Sequence, residues 1–385
     1  MLTKKRLFKF LRLLALVLIG LPCLWITAKL IRNNNNLFWL PNYMKDVVSG
    51  QYAHSDVTKH MFVLICDHWE PGNREGNILA AKAWLAAFKP IVASHQDSHG
   101  RYFKYTWFYP IDNFEPDIFN LLSQAVYEKY GEVEVHWHHY HESSVTFEKD
   151  LKNSLSKFTA YGALISEFGD KPHFAFIHGN WALDNSGSPG NCGVNDEISI
   201  LLRNGCYADL TFPALGFRSQ PKIINRIFYA VDSPEPKSYD HGEIAKIGVD
   251  GVGLMIIQGP LGIDFKNLLI LFENAALNDA EGTGFSGHIR KPSNFHEYFK
   301  RHRVHLWNQI GISIQDRREW VFVKLHTHGM QNQHILLGGE LDAALYAIED
   351  YCRLNDIFLH YIVAREAFNL VKAAEKGLTG DPEQY

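Results

Sequence analysis

The sequence has few cysteines and no strong excess of one charge over its whole length, and these absences narrow the possible classes of protein. Of its 385 residues, 46% are hydrophobic and 21% are charged, which excludes a disordered chain, a coiled coil and a polytopic membrane protein. The five cysteines form no C-x-x-C pair, and there is no N-x-S/T sequon. Cys192 and Cys206 could form a disulfide, although sequence alone does not show pairing.

Acidic residues are missing from residues 1–32, which carry seven Lys or Arg. The remainder has 31 Lys or Arg against 42 Asp or Glu, a net charge of −11. Nucleic-acid-binding domains need a basic face, so we expect no nucleic-acid partner.

The basic N-terminal segment encloses an uncharged run over residues 13–28. A positive segment followed by an apolar core is typical of a signal sequence, and snorkelling of Arg12 and Lys29 would extend the run towards bilayer length. We predict an uncleaved signal anchor, a transmembrane helix within residues 1–32, with its N-terminus in the cytoplasm. A cleaved signal peptide is the alternative, and both place the body outside the cytoplasm. Residues 33–59, which begin with four Asn, are predicted to be a linker.

The body, residues 60–377, reads as alternating strands and helices. The predicted strands are 61–66, 105–109, 133–138, 173–177, 206–212, 227–231, 254–257, 320–325 and 358–363. The predicted helices are 78–92, 116–130, 147–168, 195–204, 294–310, 341–354 and 364–376. This alternation predicts an α/β protein with a mostly parallel sheet, and the number of strands favours a complete or distorted (β/α) barrel.

Polar motifs follow five of the predicted strands. They are DHWEP at 67–71, HWHHYH at 136–141, HGNW at 178–181, LTFP at 210–213 and HTHG at 326–329. In parallel barrels the carboxyl ends of the strands converge on one face, where active sites are built. We therefore expect these distant segments to meet.

The histidine spacing predicts a metal site. Side chains alternate along a strand, so His136 and His138 point the same way, as do His326 and His328. Paired imidazoles suit a Zn²⁺-like metal, and Asp67 could add a carboxylate oxygen. Such a metal would lower the pKa of bound water towards about 7, and His326 could protonate the leaving group. The pattern indicates metal-assisted hydrolysis of an amide or ester.

Structural explanations remain open for several of these residues. His178 could be an ordinary polar residue at a strand end, and Glu70 could be a helix cap or an ion-pair partner as readily as a ligand. Asp184 could merely form an Asx-turn. Three tryptophans beside the motifs could stack on sugar rings or belong to the core: Trp69, Trp137 and Trp181.

Over residues 60–376 the chain resembles the polysaccharide deacetylase superfamily, and more closely a bacterial branch of it. The similar segments are CDHWEPG (66–72), GEVEVHWHH (131–139), FIHGNWALDNS (176–186), CGVNDE (192–197), GCYADLTFPA (205–214) and VKLHTHG (323–329). The resemblance implies a distorted (β/α) barrel, a divalent metal, most simply Zn²⁺, and carbohydrate esterase activity.

The resemblance also implies roles for individual residues. The superfamily has an Asp-Asp pair, one a base and one a metal ligand, where this chain has Cys66-Asp67-His68. Either Asp67 is the ligand and Cys66 stands at the base position, or Asp67 is the base and His68 replaces the ligand. His136 matches the first histidine of the next motif, whose second ligand position, four residues on, holds Tyr140.

The expected sites follow from these motifs. The expected metal ligands are Asp67, His68, His136 and His138; the expected catalytic residues are Asp67, His178, His326 and His328. Expected substrate contacts are Trp69, Trp137, Asn180, Trp181 and Asp184.

These expectations describe a membrane-anchored, extracytoplasmic, metal-dependent hydrolase that removes acetyl groups from a glycan or exopolysaccharide. Its expected partners are the glycan, the membrane, and polysaccharide synthesis or export proteins. One alternative is a glycoside hydrolase on the same barrel, which would need two carboxylates about 5–9.5 Å apart. The available carboxylates are Glu70, Asp184, Asp196 and Asp209. The other alternative is a non-catalytic, glycan-binding barrel.

Overall fold

The computed structural model describes residues 37–52, 57–72, 77–165, 171–187, 190–264, 272–273, 275–277, 302–331 and 333–385. The predicted signal anchor and residues 294–301 of the predicted helix 294–310 lie outside the described residues. Within them, no helix combines the length and the apolar character needed to cross a membrane.

Helices and strands alternate through most of the chain. The helices are α1 (Leu40–Val48), α2 (Asn77–Ser94), α3 (Pro116–Tyr127), α4 (Ser144–Ala160), α5 (Glu197–Arg203), α6 (Val304–Ile310), α7 (Gln333–Ile335), α8 (Leu341–Leu354) and α9 (Ala364–Glu375). The strands are β1 (His60–His68), β2 (Tyr105–Pro110), β3 (Gly131–Trp137), β4 (Phe174–His178), β5 (Cys206–Asp209), β6 (Ile227–Ala230), β7 (Glu243–Ile244), β8 (Leu254–Ile257), β9 (Gly262–Ile263), β10 (Phe272–Glu273), β11 (Trp320–Thr327) and β12 (Phe358–Tyr361).

The main sheet is large and mostly parallel, which confirms the predicted α/β class. Its order is β11-β1-β2-β3-β4-β5-β8-β6-β7, and β12 pairs with the first half of β1. Only β6 runs against its neighbours, β7 and β8, among the described pairs of this sheet.

Strand β11, at one end of the strand order, and the segment that follows β5 approach each other, consistent with a barrel-like fold. The Lys324 ammonium of β11 donates to the Phe212 carbonyl, which follows β5, over 3.1 Å. Residues 275–277 run beside β11, where the His326 amide donates to the Ala275 carbonyl over 2.9 Å. Strand side chains on one face are therefore enclosed, while those on the other face meet helices.

Two apolar layers follow from this arrangement. The outer layer lies between the sheet and helices α2–α5 and α8, and its members include Val63, Ile65, Trp84, Phe88, Val135, Phe147, Phe176 and Leu345. The inner layer includes Leu64, Cys66, Ala175, Ala208, Met255 and Ile257, together with the apolar face of α9. Helix α9 crosses the amino ends of the strands, because Arg365 binds Glu132 at the start of β3 over 2.7 Å. The carboxyl ends are consequently the ends left available for a site.

The predicted linker 33–59 contains a packed helix, α1, and this part of the prediction is wrong. Trp39 is fully buried, and Tyr43 is 4% exposed. Both belong to a cluster with Leu215, Ile224 and Leu261, on loops of the body. The four Asn indicate a polar segment, but the aromatic residues that follow them are buried.

The cysteines of the described structure are all free and buried. The disulfide between Cys192 and Cys206 that the sequence left open is therefore absent. Cys206 lies in β5, whereas Cys192 lies in the loop after β4.

Candidate metal centre and active site

Five histidines meet at the carboxyl ends of β1, β3 and β11. The ring of His68 lies at their centre: its centroid is 4.8 Å from that of His136, 4.6 Å from that of His328 and 6.2 Å from that of His326. The ring of His138 is 4.5 Å from that of His136. We call these five histidines and Glu70 the open cluster.

Strand register explains which β1 side chains join the open cluster. Cys66 is paired with His326 and Asp67 with Thr327. Since successive side chains alternate between faces, Cys66 and His68 share the face of His326, and Asp67 takes the opposite face with Thr327.

Glu70 places a carboxylate oxygen between two imidazoles of the open cluster. Its Oε1 lies 2.8 Å from His136 Nε2 and 3.2 Å from His138 Nε2. All three donor atoms lie within 4.8 Å of one another, so this group could hold a metal ion. The side chain of His138 is 34% exposed and that of Glu70 is 20% exposed, which leaves the group accessible from one side.

The hydrogen bond at Nδ1 of His136, the ring nitrogen away from Glu70, fixes the tautomer of this imidazole. Its Nδ1 is 2.9 Å from the carbonyl oxygen of Ile177, which can only accept, so Nδ1 carries the hydrogen. Its Nε2 then presents a lone pair to the Glu70 carboxylate unless a proton or a cation lies between them. A backbone carbonyl behind an imidazole is the usual support of a metal-binding histidine.

Electrostatics couple Glu70 to His136. Burial opposes the charged form of Glu70, but the hydrogen bond to His136 and the charges of His136, His138 and His328 together outweigh it and hold the pKa of Glu70 at about 2. Burial likewise opposes the His136 cation, yet its bonds to Glu70 raise the pKa of His136. Without a metal, this pair therefore favours a proton on the imidazole.

The three other enclosed histidines of the open cluster behave in the opposite way. Burial, reinforced by neighbouring imidazoles, lowers the pKa of His68 well below the ordinary value. Burial, reinforced first by Lys324 and then by His328, lowers the pKa of His326 well below the ordinary value. Burial also lowers the pKa of His328, to about 4. The buried His68 Nε2 and His326 Nδ1 have no hydrogen-bond partner among the described residues. At neutral pH these rings are uncharged, so each can accept a proton.

Trp181 lies beside these neutral rings. Its ring centroid is 5.9 Å from those of His68 and His328, and 4.8 Å from that of Phe217. Trp181 is half-buried and ends a short 3-10 turn, Gly179–Trp181, directly after β4. Asn180 precedes it and is exposed. Both predicted substrate contacts therefore lie next to the open cluster.

Asp67 does not join the predicted ligands, and the predicted set is corrected accordingly. Its Oδ1 accepts the Gly329 amide over 2.6 Å, on the side where Tyr105 and Thr327 share a hydrogen bond of 2.8 Å. Burial raises the pKa of Asp67 to about 7. Because of the strand register of β1, the side chain of Asp67 lies on the face opposite the open cluster. Glu70 supplies the carboxylate beside His136.

Trp69 and Trp137 also lie away from the open cluster, so their predicted roles as substrate contacts are wrong. Trp69 is fully buried, and its ring packs edge-on against that of Trp84 on α2 at 5.8 Å. Trp137 stacks on Phe147 of α4 at 4.7 Å. Both belong to the outer layer: Trp137 ends β3 on the face that meets the helices, and Trp69 follows β1 and packs against α2.

His178 and Asp184 belong to a separate group. Strand pairing sets His178 beside Trp137, on the outer face. There the donor atoms of His139, His178, Cys192 and Glu197 lie within 4.8 Å of one another, and all four residues are buried. We call these four residues the closed cluster. Asp184 borders it, donating its backbone amide to Glu197 over 2.6 Å.

Sequence reasoning did not assign roles to three of these residues: Cys192, Glu197 and His139. The motif CGVNDE at 192–197 contained a usable signal, since it places a thiol and a carboxylate at the start of a helix. Glu70 was named, but nothing in its spacing distinguished a ligand from an ion-pair partner.

The carboxylates considered for a glycoside hydrolase are mostly engaged elsewhere. Asp184 Oδ2 accepts the Ser238 amide over 2.6 Å. Asp196 accepts the hydroxyl of Ser144 over 2.6 Å. Asp209 is fully buried and accepts the hydroxyl of Thr211 over 2.7 Å.

Comparison with known proteins gives no assignment. No protein-family model matches the chain, and no curated protein matches its sequence significantly.

Proposed function

We propose that the chain is a metal-dependent hydrolase that removes acetyl groups from a glycan or exopolysaccharide. The observation that carries this proposal is the open cluster, in which Glu70 Oε1 lies 2.8 Å and 3.2 Å from the Nε2 atoms of His136 and His138, beside neutral histidines. The motifs that resemble polysaccharide deacetylases, and the barrel-like sheet, support the choice of an acetylated carbohydrate and a distorted (β/α) barrel of that type.

The donors suit a catalytic metal. One carboxylate oxygen and two imidazole nitrogens form a three-ligand set that leaves a position for water and substrate, as catalytic Zn²⁺ sites require. A divalent metal bound there, for which we propose Zn²⁺, would supply Lewis acidity towards a carbonyl group and a water molecule.

The neutral histidines of the open cluster account for the proton transfer that hydrolysis requires. Hydrolysis adds water across the acetyl carbon and the amine nitrogen or alcohol oxygen, so one proton must leave the attacking water and one must reach the leaving group. His68 is placed to accept the first proton, because its ring lies 4.8 Å from that of His136 and its buried Nε2 has no hydrogen-bond partner among the described residues. The proton taken up by His68 would pass to the neutral ring of His328 or His326, whose centroids lie 4.6 Å and 6.2 Å from that of His68, and from there to the departing amine or alcohol.

Trp181 would hold the sugar. A half-buried indole at the rim of the site offers an apolar face to a pyranose ring, and the exposed Asn180 amide can bind hydroxyl groups. The N-terminal charge pattern supports an enzyme anchored in the membrane with its barrel outside the cytoplasm. There it would meet a polymer delivered by polysaccharide synthesis or export proteins.

Metal removal tests the proposed function. We expect full-length protein to release acetate from N-acetylated glucosamine oligomers or from O-acetylated glycans, to lose this activity with a chelator and to regain it with Zn²⁺. Formation of reducing ends that resists the chelator would instead identify a glycoside hydrolase. Glycan binding with neither product, by metal-loaded protein, would identify a non-catalytic barrel; either result overturns the proposal.

Asp67→Asn is expected to change acetate release by less than about 10-fold, since Asp67 faces away from the open cluster; a general base is worth about 10²–10⁴-fold. The folded-state pKa of Asp67, about 7, exceeds its unfolded value, so ionisation of Asp67 weakens folding as pH rises towards 7. The variant should therefore show a flatter melting-temperature profile between about pH 4 and about pH 7.

Acetate release and thermal melting of both proteins across this pH range check the prediction. A loss of two orders of magnitude or more with metal retained would instead make Asp67 the base.

A further inference from the structure

The closed cluster draws four donors from three separate segments. His139 follows β3, and His178 ends β4. Cys192 lies in the loop between β4 and α5, and Glu197 begins α5. Glu197 Oε1 lies 3.2 Å from His139 Nε2 and 3.6 Å from His178 Nε2, while Glu197 Oε2 lies 3.5 Å from Cys192 Sγ. Donors of a tetrahedral zinc site stand about 3.3–3.8 Å apart, since the metal–ligand distances are about 2.0–2.3 Å.

Hydrogen bonds outside the closed cluster orient both imidazoles. His178 Nδ1 lies 2.5 Å from the carbonyl oxygen of Gly179, so it carries the hydrogen. His139 Nδ1 lies 3.2 Å from a carboxylate oxygen of Glu142. Both arrangements place Nε2 facing Glu197, where it would offer its lone pair to a cation bound between them, as outer partners arrange in metal sites.

The sulfur and the carboxylate are supported in the same way. Cys192 Sγ accepts the backbone amide of Asn185 over 3.2 Å. Glu197 Oε2 accepts the backbone amide of Asp184 over 2.6 Å. These donors stabilise negative charge on both groups, and a thiolate plus a carboxylate would balance a divalent cation held with two neutral imidazoles.

One atom of the closed cluster points to a ligand independently. His178 is fully buried, and its Nε2 has no hydrogen-bond partner among the described residues. A buried polar atom left unpaired costs free energy. An ion pair between His139 and Glu197 alone would leave this nitrogen unsatisfied, whereas a cation would use its lone pair.

We propose that His139, His178, Cys192 and Glu197 bind a second, structural divalent metal of the zinc type. The site is closed, because all four ligands are protein side chains and the most exposed of them, Cys192, is only 6% exposed. Closed four-ligand sites with sulfur and nitrogen donors are structural rather than catalytic. This metal is distinct from the one proposed for the open cluster.

The second metal would fix the loop that carries Trp181. Between His178 and Glu197, non-glycine residues adopt left-handed backbone conformations, and these are Asn180, Trp181, Asp184 and Asn185. Such conformations cost free energy and persist only where the surroundings enforce them. A metal joining β3, β4 and α5 across this loop would do so.

Cobalt substitution tests the second site without reference to activity. Of the two clusters, both defined within the described residues, the closed one alone contains a cysteine, so full-length protein reconstituted with Co²⁺ should show thiolate-to-cobalt charge-transfer absorption. The band should persist in His136→Ala, which lacks the first site, and in Cys352→Ala, in which another buried thiol is removed. It should disappear in Cys192→Ala.

Metal content gives the second readout. We expect about two Zn²⁺ per chain in the wild type, about one in His136→Ala and none in His136→Ala/Cys192→Ala. A chelator should lower the melting temperature of His136→Ala but not that of the double variant. The wild-type cobalt spectrum needs no variant to fold, so absence of the band overturns the proposal, as does its persistence in Cys192→Ala. Loss of acetate release with the band retained would overturn the proposed function alone.

Discussion

His136→Ala is expected to remove the metal of the open cluster and to lower acetate release more than about 100-fold, since even the outer partners of metal ligands are worth about 10–100-fold. His136 is fully buried, its Nε2 lies 2.8 Å from Glu70, and its Nδ1 is anchored on the Ile177 carbonyl. Alanine removes a donor that no neighbouring side chain replaces at the same position. Elemental analysis and acetate release, measured on the same preparations, check both expectations.

His334→Ala is the matched control, because His334 is exposed on α7 and lies outside both clusters. It should keep its metal content and its activity. Retention of the full metal complement and of acetate release by His136→Ala would remove the open cluster from the proposed mechanism. Loss of both metals would instead show that the two clusters do not bind independently.

The alternation of strands and helices was predictable because it depends on local patterns. Runs of apolar residues followed by Gly or polar motifs predicted β1 and β11, and helical spacing predicted α8 at Leu341–Leu354. Helix α1 was not predicted, because its stability comes from Trp39 and Tyr43 packing on residues more than 170 positions away in the chain. Such contacts leave no local periodic signal.

The sequence predicted the candidate sites only where they depend on the alternation of side chains along a strand and on residue spacing. The pairing of His136 with His138 follows from alternation along β3 and was predicted. The exclusion of Asp67 depends on which face of β1 is enclosed, and the contribution of Glu70 depends on the path of the chain beyond β1. Neither property can be predicted from the spacing of the residues in the motif DHWEP.

Strand β3 and the residues after it supply both clusters. His136 and His138 lie on one side, with ring centroids 4.5 Å apart. Trp137 and His139 lie on the other, 4.8 Å apart and packed on Phe147. The run HWHH therefore divides its three imidazoles between an open, partly exposed group and a closed, buried one, and His141, the fourth histidine of the motif, belongs to neither cluster.

His326→Ala is expected to lower kcat by about 10²–10⁴-fold, the usual contribution of a general acid or base, while the metal content stays unchanged. The ring of His326 is 6.2 Å from that of His68, and His326 is not among the donors grouped with Glu70. Its backbone, which bonds to residues 275 and 277, is preserved by alanine. Activity and bound metal should therefore separate in this variant, whereas they are lost together in His136→Ala.

Three readouts distinguish proton transfer by His326 from a merely structural effect. A proton-transfer role predicts a fall in kcat with little change in KM, an altered acidic limb of the pH profile and partial rescue by added imidazole. Because burial lowers the pKa of His326 well below its ordinary value, the wild-type ring stays neutral through the weakly acidic range and keeps its capacity to accept a proton there. Loss of metal along with activity would make His326 a ligand. Unchanged kcat would transfer the role to His328, which directly follows β11 and whose ring lies 4.6 Å from that of His68.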